Sequence, residues 1–280
     1  MLLGASPQSA ERLATGSRTA VFRAGLLDGR SVITKLYAHD ARRNALTEAA
    51  AIRAAEGAVP VPAVLGSGII SGAGATALIT SDLGRRTLGS TVRSGRIPHG
   101  QALKDLGGLL NRLHRAPVEQ PATLTTSSDA ISSLARRCPP ELLSQITPAL
   151  AVIADTSDTA PTVWCHGDLH FDNVVLYGPR DVRYLIDFTD AVPGRRETDV
   201  AHALVMTAAH TPRDRRALID AYSLALDDAR LSAWLVLHTV RCWIHSAPGA
   251  DRSLWSDRLA DLTRQKPHLF RTPRTERIFR

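Results

Sequence analysis

Val163-Trp164-Cys165-His166-Gly167-Asp168-Leu169-His170-Phe171-Asp172-Asn173-Val174-Val175-Leu176, with Tyr184-Leu185-Ile186-Asp187-Phe188-Thr189-Asp190-Ala191 close behind it, is the stretch on which the reading of this chain turns. Two apolar runs, Val174-Val175-Leu176 and Tyr184-Leu185-Ile186, flank a turn signal at Gly178-Pro179 and predict a short hairpin. Such a hairpin sets Asn173 and Asp187 side by side at one end. Asp168, on the loop entering it, then faces the same cavity. Singly, Asp and Asn are common turn residues, because their side chains bond nearby backbone. All three in order, between apolar strands, make a longer pattern than loop capping requires. Their oxygens suit a divalent cation such as magnesium, which takes a few protein oxygens together with phosphate oxygens and water. Transfer of a phosphoryl group to a hydroxyl needs such a metal, a carboxylate to orient the hydroxyl and take its proton, and positive charge on the phosphates.

The positive charge is found upstream. Lysine occurs only at positions 35, 104 and 266, the other cations being arginine. Lys35 interrupts the apolar, β-branched run Val32-Ile33-Thr34-Lys35-Leu36-Tyr37, which predicts a strand. Residues 11–37 alternate in a strand-like way around a turn at Leu27-Asp28-Gly29-Arg30. The alanine-rich run Asn44 to Glu56 predicts a helix, stopped by Gly57, Pro60 and Pro62. Val61 to Gly68 and Ala75 to Thr80 predict two more strands. Beyond Asp82-Leu83-Gly84 the texture becomes helical: Gln101 to His114, then 130–154 with breaks near Pro139-Pro140 and Pro148, Asp199 to His210, Arg213 to Leu226 and Leu231 to His245. Residues 116–129 look like a loop. A small mixed half thus precedes a mostly helical half, an α+β organisation divided at 1–84 and 85–280.

Composition sets the bounds. The chain has 280 residues, enough for one large domain or two small ones with real cores. No apolar run reaches the roughly 18 residues of a transmembrane helix, and the N-terminus does not read as a signal peptide. Three scattered cysteines, Cys138, Cys165 and Cys242, predict neither a disulfide framework nor a metal site. A cytoplasmic setting, with no membrane partner, is expected. Net charge is +7, much of the excess in a tail carrying Arg264, Lys266, Arg271, Arg274, Arg277 and Arg280. No nucleic-acid-binding module accompanies it, so a solvated surface is expected there and no nucleic-acid partner.

His166-Gly167-Asp168 with Asn173, then Ile186-Asp187-Phe188, then Gly194 and Asp199-Val200-Ala201, resembles the aminoglycoside phosphotransferase and choline kinase superfamily. The resemblance spans residues from about 10 to about 245. It implies a protein-kinase-like two-lobed fold, with a small antiparallel β-sheet lobe carrying one helix and a larger helical lobe. It implies that Asp168 is the catalytic base, that Asn173 and Asp187 hold Mg2+, that His166 holds the loop and that Asp199 buttresses it. It implies a strand lysine paired with a helix glutamate, here Lys35 with Glu48, Glu56 being the alternative glutamate. Thr15-Gly16-Ser17 would cover the phosphates, with Ser17 a phosphate ligand, and Ser81-Asp82-Leu83 would meet the base, through Ser81 and Leu83. The cofactor implied is ATP, with GTP the alternative. Phe171-Asp172 stands where many relatives have Pro-Gly, and reads as loop variation.

The partner implied is a small hydroxylated molecule: an antibiotic, inactivated by O-phosphorylation, or else a sugar, amino alcohol, homoserine or biosynthetic intermediate. Acidic candidates for the acceptor side are Asp190 and Glu197. Asp227-Asp228 reads as a helix start. Trp234, His238, Trp243 and His245 share a helical face and are expected to pack in the large half, a substrate-facing role being the alternative, and His202 and His210 are expected to be structural.

Overall fold

The computed structural model describes residues 7–15, 19–70, 74–118, 127–155 and 162–270. The chain opens with β1 (Pro7–Thr15), β2 (Thr19–Leu26) and β3 (Ser31–Ala38), followed by α1 (Arg42–Ala55), β4 (Val64–Ile70) and β5 (Ala75–Ser81). The five strands form one antiparallel sheet in the order β1-β2-β3-β5-β4. Lys35 lies in the middle strand, with Val21 opposite on one side and Leu78 on the other. Helix α1 lays a face of Ala45, Ala49 and Ile52 into the core. Alanine lets the helix sit close to the sheet, so that Glu48, on the same face, is brought to the strand.

The helical half comprises α2 (Leu88–Arg93), α3 (His99–Leu113), α4 (Ser127–Ala135), α5 (Pro140–Gln145) and α6 (Thr147–Ala154). The prolines foreseen as breaks stand at the starts of α5 and α6, where their missing N–H costs nothing. Next come β6 (Val163–Cys165), β7 (Val174–Tyr177), β8 (Val182–Leu185) and β9 (Val192–Gly194). The last helices are α7 (Arg196–Met206), α8 (Pro212–Tyr222), α9 (Asp228–His245) and α10 (Ala250–Gln265). Asp227 caps α9 by accepting from the Arg230 N–H, the expected helix-start role. Helix α9 is buried from Arg230 through Val240 and is packed by α6, α7 and α10, which makes it the axis of the lobe. Leu103, Leu106 and Leu110 of α3 are fully buried, and α3 runs along α8.

Two helices were not foreseen. Helix α2 is a six-residue turn, held by a capping box between Thr87 and Ser90 that its sequence hardly advertises. Helix α10 lies just before the basic tail and shares only Arg264 with it; it buries only Leu259 and Leu262, so its apolar stripe is thin. No helix among the described residues is long and apolar enough to cross a membrane.

The β7–β8 hairpin pairs Val174 with Leu185. Its edges are tied to the segment that leaves the small half, through Leu176 N–H to Arg86 O, and to the loop between α1 and β4, through Leu185 N–H to Pro60 O. These bonds fix the hairpin beneath the sheet.

Candidate active site

The hairpin sets Asn173 beside the Ile186-Asp187 turn, the Ile186 N–H donating to Asn173 O at 3.0 Å. Asp187 holds a left-handed backbone, φ 63°, which is strained for a residue other than glycine. From there its Oδ1 meets Lys35 Nζ, reaching down from β3, at 2.7 Å. Lys35 also donates to Glu48 Oε1 at 2.6 Å and to Thr189 Oγ1 at 3.1 Å. Thr189 in turn donates to Asp187 Oδ1 at 2.6 Å. Tyr37, fully buried, donates its hydroxyl to the other oxygen of Glu48. Glu48 is buried and Glu56 lies at the exposed end of α1, which settles which glutamate faces the lysine. Burial disfavours the charged forms of Lys35 and Asp187, but their partners outweigh it. The Glu48 and Asp187 charges raise the Lys35 ammonium, and Lys35 with Thr189 holds the Asp187 carboxyl down at about 2.

Asp168 lies on the loop between β6 and the one-turn helix Phe171–Asn173. Asn173 Nδ2 donates to Asp168 O at 2.7 Å and to Asp168 Oδ2 at 3.3 Å. The amide oxygen of Asn173 therefore faces away from Asp168, and it accepts no hydrogen bond among the described residues. This amide oxygen and the second carboxylate oxygen of Asp187 are both of the donor type that a magnesium ion takes. The Asp168 side chain is 37% exposed, so the carboxylate is accessible from outside. Two rings flank it, His170 Nε2 and His202 Nε2, each 3.7 Å from a carboxylate oxygen. Burial would raise the Asp168 carboxyl, and these histidines reverse the effect and lower it.

The loop is held from behind. Asp199, fully buried on α7, accepts from His166 N–H at 2.7 Å, from Gly167 N–H at 2.9 Å and from His114 Nε2 at 3.1 Å. His114 Nδ1 meets the Tyr222 hydroxyl at 2.7 Å. His166 Nε2 reaches Ile186 O at 2.9 Å and so couples the loop to the hairpin. Gly167 has φ 82°, and a Cβ there would stand 2.2 Å from Asp190 O. His114, Cys165 and Asp199 cluster in the interior, but their polar atoms are already used, the Cys165 thiol donating to Arg195 O. The cluster acts as a buttress. Phe171-Asp172 is anchored as well: Asp172 takes both Arg93 guanidinium nitrogens and the Thr87 hydroxyl, all supplied by α2 and its cap.

Between sheet and hairpin lies a cavity of about 240 Å³ walled by Val21, Ile33, Leu78, Leu83, Val175 and Ile186, with Lys35 and Asp187 in its lining. The Leu83 backbone makes no hydrogen bond among the described residues, which leaves its N–H and C=O open to a planar base. Ser81 is differently engaged: its N–H and hydroxyl are both paired with Ala63 of the neighbouring strand segment. Ser17 lies outside the described residues. A larger opening of about 820 Å³ near Arg53, Arg112 and Trp164 contains none of the site residues.

On the acceptor side, Glu197 is buried and accepts from the Asp227 N–H, inside the lobe. Asp190 adjoins Gly167, and its carboxyl is raised by burial and by the charges of Asp168 and Asp187. His170 and His202 are the site neighbours that sequence reasoning did not identify. His170 was available in the loop motif itself. The only sign of His202 was its place one turn after Asp199 on the same helix.

The sequence profile of the phosphotransferase enzyme family matches residues 9–234. Among solved structures, the chain is similar to a choline/ethanolamine kinase family protein from Mesorhizobium loti, at 17% identity and TM-score 0.66, over 93% of this chain and 91% of that one. It is equally similar to wild-type aminoglycoside 2'-phosphotransferase-IIIa in complex with GDP, at 17% identity and TM-score 0.66, over 93% and 94% of the two chains. A thermostable mutant of aminoglycoside phosphotransferase APH(4)-Ia, in ternary complex with ADP and hygromycin B, matches at 18% identity and TM-score 0.64, over 93% and 95%. At these identities the likeness speaks for the protein-kinase-like fold. A search of curated proteins by sequence yields no match.

Proposed function

Because the chain belongs to the phosphotransferase enzyme family, we propose that it moves the γ-phosphate of ATP to a hydroxyl of a small molecule at Asp168. The observation that carries this reading is the convergence of Lys35 and Asp187, from two lobes, at 2.7 Å, with Asp168 one amide away through Asn173. Residues 1–84 would hold the nucleotide and residues 85–280 the catalytic loop and acceptor. The base would lie in the apolar cavity against Leu83, beside Ser81, and Lys35 would exchange Asp187 for phosphate oxygens. Asn173 and Asp187 would hold a magnesium ion, which supplies positive charge on those oxygens. The acceptor oxygen attacks the γ-phosphorus, the bond to the β-phosphate oxygen breaks, and the hydroxyl proton passes to the Asp168 carboxylate. Because the Asp168 carboxyl is lowered, it stands ready as an acceptor of hydrogen bonds near neutral pH. His166 and Asp199 keep that loop in place.

The acceptor belongs to the same proposal: an antibiotic, or a metabolite such as a sugar or amino alcohol. A polycationic aminoglycoside fits poorly, since Glu197 is turned inward and the groove beyond Asp168 is lined by His202, His238, Arg241, Cys242 and His245. The test is coupled ADP release with Mg-ATP, and in parallel GTP, over hydroxylated antibiotics and metabolites. One acceptor should stimulate release, and Asp168→Ala should lower turnover by roughly a hundred- to ten-thousand-fold. Full activity in Asp168→Ala would refute the assignment.

A further inference from the structure

Helices α7 and α9 pack side by side and leave a groove of about 150 Å³ lined by His202, His238, Arg241, Cys242 and His245. His202, one of its walls, also lies 3.7 Å from Asp168 Oδ1. Its volume equals about five waters' share of liquid, at roughly 30 Å³ each, enough for one compact polar group. No carboxylate lines it. Arg241 is exposed and makes no hydrogen bond or ion pair among the described residues. His202 Nδ1 is buried and has no hydrogen-bond partner there. The rings are fixed: His238 is stacked on Trp234, set edge-on to His202 at 5.0 Å, and its Nε2 reaches Thr198 O at 3.1 Å.

We propose that this groove binds an anionic group of the acceptor, a carboxylate or a phosphate, so that the acceptor is a hydroxyl compound carrying negative charge close to the hydroxyl that is phosphorylated. This inference rests on the phosphotransferase reading and names its substrate class. A guanidinium without a partner takes a carboxylate or phosphate through two parallel hydrogen bonds. His202 Nδ1, which has no other partner among the described residues, can donate to the same ligand once it carries a proton. Burial holds both histidines largely neutral, lowering His202 and pushing His238 well below the ordinary range. The charges acting on His202 are Asp168 and Asp199, which favour its protonated form, and Arg241 and His170, which oppose it. An anion in the groove adds to the first pair. Arg241 also acts on Asp190, the other carboxylate near the loop, so anion binding and that residue are coupled. An ammonium-bearing acceptor would instead meet Arg241 unscreened.

The test follows the ring resonances of His202 and His238 in the full-length chain loaded with Mg-ADP, while gluconate, glucose 6-phosphate, glucose or glucosamine is added. These probes share a hydroxylated skeleton and differ in charge. Gluconate or glucose 6-phosphate should shift both rings saturably, and the tighter of the two says whether carboxylate or phosphate is the group recognised. Glucose and glucosamine should leave them unmoved. Arg241→Ala should weaken the anion at least about tenfold, the weight of one charge-assisted hydrogen bond. Rings that respond to glucosamine as strongly as to gluconate, or to no anion, would overturn the proposal. So would an anion response undiminished in Arg241→Ala. Failure of the underlying reading would look different: Mg-ADP itself would not bind, and the assignment of the groove to an acceptor would fall with it.

Discussion

Replacing Asp199 by asparagine tests the buttress of the Asp168 loop without any knowledge of the acceptor. The carboxylate is fully buried and takes three donors, His166 N–H, Gly167 N–H and His114 Nε2, on its two oxygens. Burial alone would raise its pKa, but the bond from His114, the nearby His166 ring and the His166 N–H hold it at about 2, against an ordinary 3.8. At about 1.4 kcal/mol per tenfold in proton affinity, that difference is worth about 2 kcal/mol to the folded state. Mutational experience gives a similar figure, since hydrogen bonds to a charged group contribute about 1.5–3 kcal/mol. The two estimates describe the same interaction and do not add. Asparagine is nearly isosteric, yet one of its ends is a donor and must confront either His166 N–H or Gly167 N–H. The expected loss at neutral pH is therefore about 2–3 kcal/mol. The pH dependence has a definite sign. A carboxyl whose pKa is depressed on folding stabilises the fold above its unfolded value, here 3.8, and that contribution fades as pH falls through about 2. Urea unfolding of wild type and Asp199→Asn should thus give a gap that is full at neutral pH and roughly halved near pH 3. A gap under about 0.5 kcal/mol at neutral pH, or one independent of pH, would refute the reasoning.

Two further substitutions address the other ends of the site. Lys35→Met should weaken nucleotide binding roughly ten- to a hundredfold through loss of charge-assisted bonds, while leaving Asp187 beside a buried, unpaired Glu48; titration with a fluorescent nucleotide would check this, and unchanged affinity would contradict it. Gly167→Ala puts a Cβ 2.2 Å from Asp190 O at φ 82°, so turnover should fall and the melting temperature should drop, by an amount reflecting at least the roughly 1–2 kcal/mol cost of that backbone region; a wild-type melting curve together with wild-type turnover would count against the close packing of loop and Asp190.

How much of this was legible in the sequence depends on distance along the chain. Asn173 and Asp187 could be paired because one hairpin joins them, and a hairpin is written locally in turn residues and apolar runs. The pairing of Lys35 with a helix glutamate came from the family resemblance, and the choice of Glu48 over Glu56 rests on how α1 packs against the sheet. The convergence of Lys35 with Asp187 spans the two lobes and came only from the family resemblance. His202, His238 and Arg241 meet because α7 packs on α9, and no local pattern tells which face of a buried helix borders a groove. The same blindness made Glu197 look available when it caps a backbone N–H inside the lobe, and hid the Arg93–Asp172 pair, which depends on a six-residue helix below the length at which periodicity speaks.

The proposed site for a magnesium-bound nucleoside triphosphate is made of Lys35, Asn173 and Asp187, with Asp168 proposed to face the γ-phosphate. Calorimetric titration of ATP into the wild-type chain and into Asp187→Ala, each with and without magnesium, tests it without an acceptor. Magnesium should strengthen binding in the wild type and should have no such effect in Asp187→Ala. Affinity indifferent to magnesium in the wild type, or an undiminished magnesium effect in the variant, would contradict it.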